Sequence, residues 1–273
     1  MTQFVNDNIR KTVREQYSKV AESAELGESS ESGCCGVNSS CCTESAPDAK
    51  AASMELGYSN NDVNHVPEGA NMGLGCGNPN AIASLKTGET VLDLGSGGGF
   101  DCFLAAKEVG KSGQVIGVDM TSVMVSKARE NADRAGYPNI DFRLGEIEHL
   151  PVADGVVDVI ISNCVINLSP EKMKVFQDAF RVLKPGGRLA ISDIVATTDI
   201  PEKAKNDVAL YTGCLSGAST VHSIKAMLKA AGFVGIEIKP KDESKAFIRN
   251  WVADSKLEDF VVSATIEGVK PQA

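Results

Sequence analysis

Apolar side chains recur at Val5, Ile9, Val13, Tyr17 and Val20 in the opening stretch FVNDNIRKTVREQYSKVAES. This spacing predicts a helix over 4–23 whose one narrow apolar face must dock on something. The pattern then lapses. GESSESGCCGVNSSCCTESAPDAKAAS (27–53) is poor in apolar bulk and rich in Ser, Gly and Glu, so it cannot bury enough surface to order itself and is expected to be mobile. From Thr90 onward, short apolar runs alternate with helical periods. TVLDLG (90–95), QVIGVDM (114–120), IDFRLG (140–145), VVDVIISNC (156–164) and GRLAISDIV (187–195) read as buried strands. DCFLAAKEVG (101–110), VMVSKARENADRAG (123–136) and PEKMKVFQDAFRVL (170–183) read as the helices between them. In LKPGG a proline and two glycines predict a turn into the strand that follows. Helices are expected over 201–212 and 220–231, and strands over 234–239 and 259–269. The stretch 242–259, which holds the sole tryptophan, Trp251, reads as a surface helix packing its ring on the domain. The alternation predicts an α/β fold with a doubly wound, mostly parallel sheet, preceded by a helix and a Cys-rich segment.

Charge narrows the possible partners. A formal net charge of -9, with no clustering of Lys and Arg into a stripe, argues against nucleic acid and for a small substrate. No apolar run approaches the ~20 residues that span a bilayer, and MTQFVNDNIRK lacks the basic-then-apolar layout of a secretory signal. The expectation is therefore a cytoplasmic protein with no membrane partner. In that reducing compartment the eight cysteines point to metal, metalloid or redox chemistry rather than a disulfide framework.

A ligand-binding turn is visible at Asp93-Leu94-Gly95-Ser96-Gly97-Gly98-Gly99, between a predicted strand and a predicted helix, where backbone can approach a ligand closely. It departs from the G-x-G-x-x-G dinucleotide fingerprint, because Phe100 stands where the third glycine would be, and no phosphate-binding G-x-x-x-x-G-K-[ST] run is present. Asp119, at the end of the next strand, has a carboxylate suited to the two hydroxyls of a ribose. GEIEHLP (145–151) forms an acidic-apolar turn able to hold an adenine ring. In combination, DLGSGGG, VDM, GEIEHLP and SNC resemble the S-adenosylmethionine-dependent methyltransferases of the Rossmann-like class, over roughly Thr90 to Val195. The resemblance implies that Gly95, Ser96 and Gly97 line the methionine part, that Asp119 holds the ribose, that Met120 and Ile147 flank the adenine, and that Asn163 faces the methionine end.

The thiols sharpen the substrate. Cys76 lies in GLGCGNP (73–79), Cys164 in ISNCVINLSP (161–170) and Cys214 in YTGCLSGA (211–218). In a doubly wound sheet the crevice lies beyond the strands' carboxyl ends, where these three positions can converge. None of His65, His149 and His222 stands at ligand spacing from a cysteine, so the usual zinc signatures fail and a soft, thiophilic centre fits instead. The glycines around Cys76 and Cys214 argue against core packing for those two, whereas Cys102 reads as a small buried hydrophobe.

With VPEGANMGLGCGNP, DLGSGGGFDCFLAA, ISNCVINLSP, LKPGGRLAISDIV and YTGCLSGA, the chain resembles the arsenite methyltransferases through nearly its whole length. The resemblance implies that Cys76, Cys164 and Cys214 ligate trivalent arsenic, with S-adenosylmethionine as methyl donor and arsenite or its thiol conjugate as substrate. It also implies a further cysteine near the amino terminus, which either Cys34-Cys35 or Cys41-Cys42 can supply; the pair Cys41 and Cys42 lies nearer the domain. A vicinal pair would return two electrons after each methyl transfer and be reset by a thioredoxin- or glutathione-type reductant. On this reading residues 1–66 carry the helix and Cys-rich segment, and 67–273 form the methyltransferase domain, with a helical substrate-side insertion at about 197–232. The alternatives are a methyltransferase for an organic small molecule and a non-catalytic metalloid-binding protein.

Overall fold

In the computed structural model, which describes residues 3–26, 49–205, 207–251 and 257–272, a single sheet organises the chain. Strands β1 (Thr90–Leu94), β2 (Gln114–Asp119), β3 (Ile140–Leu144), β4 (Val157–Asn163) and β5 (Leu183–Ala196) are parallel, in the order β3-β2-β1-β4-β5. The short β6 (Ser219–Thr220) pairs with the end of β5. Antiparallel β8 (Val261–Val269) lies between β5 and the edge strand β7 (Val234–Lys241). The helices in chain order are α1 (Gln3–Leu26), α2 (Ala49–Glu55), α3 (Asn60–His65), α4 (Asn80–Ala83), α5 (Phe100–Val109), α6 (Ser122–Ala135), α7 (Lys172–Val182), α8 (Glu202–Lys205), α9 (Val208–Thr212), α10 (Val221–Ala231) and α11 (Lys245–Trp251).

Both faces of the sheet are covered, which is why its inner strands read as unbroken apolar runs. Leu92, Leu94, Ile160 and Ile191 pack against Phe176 of α7 and Leu228 of α10. Val91, Val159 and Ile161 pack on the other side with Phe103 of α5 and Val125 of α6. The doubly wound, mostly parallel architecture expected from the alternation is the one observed. Among the described residues no helix is long and apolar enough to cross a membrane.

Several boundaries differ from the sequence reading. LKPGG does not separate helix from strand, because β5 already begins at Leu183. Val157 pairs with Leu183 and Val159 with Arg188, so Lys184 to Gly187 bulge out of the ladder. The helix expected over 201–212 breaks into α8 and α9, since the Asp207 carboxylate accepts from the N–H groups of Ala209 (2.8 Å) and Leu210 (3.1 Å) and starts a new helix. Strand β7 runs on through Pro240 to Lys241, which an edge strand tolerates. Among the described residues of 242–259, Lys245–Trp251 is α-helical, and 3₁₀ turns lie at Asp242–Ser244 and Leu257–Asp259. The Trp251 ring rests on Phe247, with centroids 5.3 Å apart. Of the Cys-rich stretch 27–53, residues 49–53 belong to α2; Cys34, Cys35, Cys41 and Cys42 lie outside the described residues.

The inward face of α1 is a correction with a clear cause. Val13, Tyr17 and Ala21 do turn inward, but Asn6 and Arg10 accompany them, and Val5 is 42% exposed. Arg10 is buried: its Nη2 donates to Glu148 Oε1 (3.1 Å) and Glu171 Oε2 (2.6 Å), and its Nε donates to Glu148 Oε1 (3.2 Å). Glu148 is itself buried and also accepts from Ser169 Oγ (2.6 Å). Burying Val5 would contribute at most ~1.5–3 kcal/mol, whereas stranding a buried carboxylate costs ~3–5 kcal/mol. The helix rolls to satisfy the charge.

Arg10→Ala is accordingly expected to undock α1. Amide exchange protection should be lost over Gln3 to Ala21 while β1, β4 and β5 keep theirs, at a cost of about 3 kcal/mol capped by local release of the helix. Unchanged protection along α1 would mean that its apolar contacts alone hold it.

Candidate active site

Strand order reverses direction between β1 and β4, and a cavity of about 720 Å³ opens beyond the carboxyl ends of these strands. At the end of β4 the chain passes from Asn163 to Cys164, whose φ is 57°, a left-handed conformation that side chains other than glycine rarely adopt. Cys214, just past α9, has φ 63°. Among the described residues, Ser84 is the one other non-glycine with positive φ. Such strain persists where surrounding contacts over-determine it, commonly at functional sites. Here Cys164 N–H donates to Ser192 O (2.8 Å), Cys214 N–H to Tyr211 O (3.0 Å), and the Cys214 thiol to the carbonyl of Cys164 (2.7 Å).

The Cys76 loop is pinned against the same strands. Cys76 N–H donates to Asn163 Oδ1 (3.0 Å), its carbonyl accepts from Ser263 Oγ (2.6 Å), and Gly77 O accepts from Asn163 Nδ2 (2.8 Å). A Cβ on Gly75, at φ 128°, would lie 2.7 Å from the Asn163 amide nitrogen, so only glycine lets the loop lie so flat on that side chain. The glycines therefore do not mark an exposed loop. Contrary to the expectation for Cys76 and Cys214, both are buried, 1% and 2% exposed, in a cluster with Cys164, Val13, Ile194, Leu210 and Leu215. Cys164 and Cys214 line the cavity, while Cys76 stands behind them. Cys102 is buried as expected, with its thiol donating to Asp93 Oδ2 (3.2 Å).

Burial sets the electrostatics. It pushes the Cys76 thiol up to about 11. At Cys164 the hydrogen bond with Cys214 pulls downward, but the Cys76 thiol and burial outweigh it, and the thiol titrates well above its ordinary range. The hydrogen bond with Cys164, then burial, raises Cys214 likewise. All three are neutral thiols at neutral pH. Beside them Asp193, on β5 and 2% exposed, is raised to about 6 by burial, despite donation from Ile194 N–H (2.7 Å), Asn167 Nδ2 (2.9 Å) and Ile166 N–H (3.0 Å).

The remaining expected positions, Asp93, Gly95, Ser96, Gly97, Asp119, Met120, Ile147 and Asn163, all line the same cavity. Asp119 Oδ2 accepts from Gly97 N–H (3.0 Å) and Oδ1 from Thr121 N–H (2.8 Å), which ties the glycine turn to the start of α6. Burial raises Asp119, and it raises Asp93 further, with the charge of Asp101 adding to the effect. Ser96 Oγ is buried without a hydrogen-bond partner in the protein, as a hydroxyl reserved for a ligand would be. Asn163 Nδ2 also donates to Tyr58 Oη (2.9 Å), and Tyr58 Oη donates to Asp101 Oδ1 (2.7 Å). Cys41 and Cys42 lie outside the described residues.

Sequence reasoning passed over four contributors. Asp193 is a single acid inside the apolar run AISDIV, and a buried acid is the informative exception in such a run. Tyr17 brings its hydroxyl from α1 to Thr212 O (3.2 Å), next to Cys214. Tyr58 and Asp101 complete the polar chain behind Asn163. The signal for Tyr17 was its place as the aromatic on the docking face of α1; Tyr58 gave none.

Residues 85–232 match the family described as "Methyltransferase domain". The chain is 53% identical over 272 residues to an arsenite methyltransferase of Halobacterium salinarum, which covers 97% of this chain and 67% of that relative. It is 45% identical over 166 residues to an arsenite methyltransferase of Aquipseudomonas alcaligenes, covering 58% of this chain and 47% of the relative, so it spans less than half of that protein. Among solved structures, an arsenic(III) S-adenosylmethionine methyltransferase of Chlamydomonas reinhardtii superposes with TM-score 0.61 at 33% identity, over 83% of this chain and 75% of the other.

The raised Asp193 makes stability depend on pH. With a folded value of about 6 against ~3.9 unfolded, the folded protein holds a proton that the unfolded chain has lost. Stability therefore falls as pH rises through this window, by up to about 3 kcal/mol. Urea unfolding between about pH 4.5 and 7, the upper part of this window, should show Asp193→Asn gaining on the wild type by about 2 kcal/mol. A difference that does not vary with pH would mean that Asp193 titrates as an ordinary carboxylate.

Proposed function

This chain belongs to the arsenite methyltransferases, and on that premise we propose that it transfers a methyl group from S-adenosylmethionine to trivalent arsenic held by Cys76, Cys164 and Cys214. The observation that carries the reading is the convergence of three buried, neutral thiols, with Cys164 and Cys214 on strained backbone at one end of the cavity that Asp119 and the glycine turn enclose and Cys76 directly behind them.

The crevice suits the cofactor. Asp119 would hold the ribose hydroxyls, Met120 and Ile147 the adenine, and Gly95, Ser96 and Gly97 the methionine part, with the orphaned Ser96 hydroxyl as a ready partner. Asp93 stands deeper in the same wall. When bound, S-adenosylmethionine supplies an electrophilic methyl on a cationic sulfur. The protein's part is chiefly positioning. Each thiol exchanges with one hydroxyl of arsenous acid, forming an As–S bond and releasing water. Three sulfur ligands leave the arsenic lone pair pointing away from them, so the thiols fix the direction of attack and no general base is needed.

Methylation oxidises arsenic by two electrons. A vicinal pair, Cys41 with Cys42 or Cys34 with Cys35, would return them by closing a disulfide, and a thioredoxin- or glutathione-type reductant would reopen it. In this reading residues 67–273 form the methyltransferase domain with a substrate-side insertion at about 197–232, and residues 1–66 carry α1 and the Cys-rich segment. A reducing cytoplasm would keep the site thiols free.

The test is arsenic speciation after incubation with arsenite, S-adenosylmethionine and a dithiol. The wild type should form methylated arsenicals, and Cys164→Ser and Cys214→Ser should lose at least on the order of 10²-fold in rate while binding cofactor normally. A wild type that binds cofactor but never methylates arsenite would sink the proposal. Serine variants that keep full activity would point to an organic acceptor and leave the cysteines as bystanders.

A further inference from the structure

Arsenic needs three sulfurs, which leaves one buried group beside the thiols without a part. The donor atoms of Cys76, Cys164 and Asp193, two Sγ and one carboxylate oxygen, all lie within 4.8 Å of one another, and all three residues are buried. A tetrahedral zinc ion, with bonds of ~2.0–2.3 Å, keeps its donors roughly 3.5 Å apart, so this group needs only a small contraction to close on one. The carboxylate is already oriented. Asp193 Oδ1 accepts from Ile194 N–H (2.7 Å) and Asn167 Nδ2 (2.9 Å), and Oδ2 accepts from Ile166 N–H (3.0 Å), so three donors hold the carboxylate in one orientation. Hydrogen-bonded carboxylates of this kind are what metal sites use to fix a ligand.

We propose that Cys76, Cys164 and Asp193 form a site for a divalent thiophilic cation of the zinc type. Two thiolates and one carboxylate supply three donors, and a water or the neighbouring Cys214 thiol takes the fourth position. Binding displaces one proton from each of the two thiols to solvent, and the carboxylate neutralises nothing further. The mixed sulfur and oxygen set matches the ligand preferences of zinc, and the fixed geometry disfavours the six-coordinate, all-oxygen shell that magnesium requires. The cation would occupy two of the three thiols proposed for arsenic. The site itself stands on the geometry alone, and only its competition with arsenite rests on the proposed function.

The experiment uses the full chain with Cys34, Cys35, Cys41 and Cys42 replaced by Ser, so that those thiols bind nothing. Titration with Co2+ under anaerobic conditions should develop a thiolate-to-cobalt charge-transfer band at one equivalent, and Zn2+ should abolish it. Asp193→Asn should weaken Zn2+ binding by at least on the order of tenfold while keeping the wild-type circular dichroism. Cys76→Ser should lose part of the band, which supplies a second variant should Asp193→Asn fail to fold. Absence of any thiolate band in the parent chain, or Zn2+ affinity unchanged in Asp193→Asn, overturns the site. A band that appears but that arsenite cannot displace upholds the cation site and counts against the arsenic reading of these thiols.

Discussion

Holding Cys164 in a left-handed conformation at the carboxyl end of β4 costs an L-residue on the order of 1–2 kcal/mol, and the rest of the crevice is arranged so that this conformation persists. Its N–H stays on the sheet by donating to Ser192 O, so the turn cannot relax without breaking the β4 and β5 pairing. On the far side of the turn, Asp193 receives Ile166 N–H and Asn167 Nδ2, fixing the residues that follow. Asn163, one residue before, holds the Cys76 loop by its side-chain oxygen and nitrogen together. One strained residue thus brings three distant segments into register. The backbones at Cys76, Cys164 and Cys214 are each tied either to the sheet or to a neighbouring loop.

Charge is distributed with the same economy. The cavity wall collects Asp93, Asp101 and Asp119, with Asp193 just behind, all pushed toward protonation by burial. Among the described residues no hydrogen bond or ion pair joins an arginine to any of them. The buried guanidinium of Arg10 is committed instead to Glu148 and Glu171, where it fastens α1 across the residue next to Ile147. From there α1 runs to the thiol end, where Tyr17 reaches Thr212 beside Cys214. A single helix therefore walls the crevice from its Ile147 side to its thiol side, and the polar contact at Arg10 decides how that helix is rotated.

The same facts explain what the sequence made legible. Parallel strands covered on both faces must be apolar throughout, so β1, β2, β4 and most of β5 were plain in the pattern, as was the glycine turn whose Gly95 and Gly97 adopt positive φ. What periodicity cannot see is a partner far along the chain. It counted Val5 and Ile9 toward the docking face of α1, because nothing local says that Arg10 meets a buried Glu148 138 positions later. LKPGG looked like a terminator, since proline and glycine usually are, yet a parallel ladder can absorb them as a bulge. The glycines around Cys76 argue locally against core packing, yet their use is to let backbone press against Asn163. Asp193 escaped notice because a lone acid in a strand resembles a solvent-facing position until the sheet shows both faces covered.

Burial of the thiols also bears on which substrate the site can accept without penalty. On the proposed reading, a neutral thiol meeting a neutral arsenic hydroxide would form As–S and water, so three successive exchanges would bring no net charge into a dry cluster. A site of exposed thiolates would have to desolvate up to three anions for the same result, at several kcal/mol each before any bond forms. A divalent cation must instead expel protons from thiols that hold them tightly, Cys76 up to about 11, which costs affinity in proportion to each displaced proton. Deep burial thus favours a neutral thiophile over a cation at equal intrinsic bond strength. On that reading, the near-complete exclusion of these cysteines from water would give the site its preference.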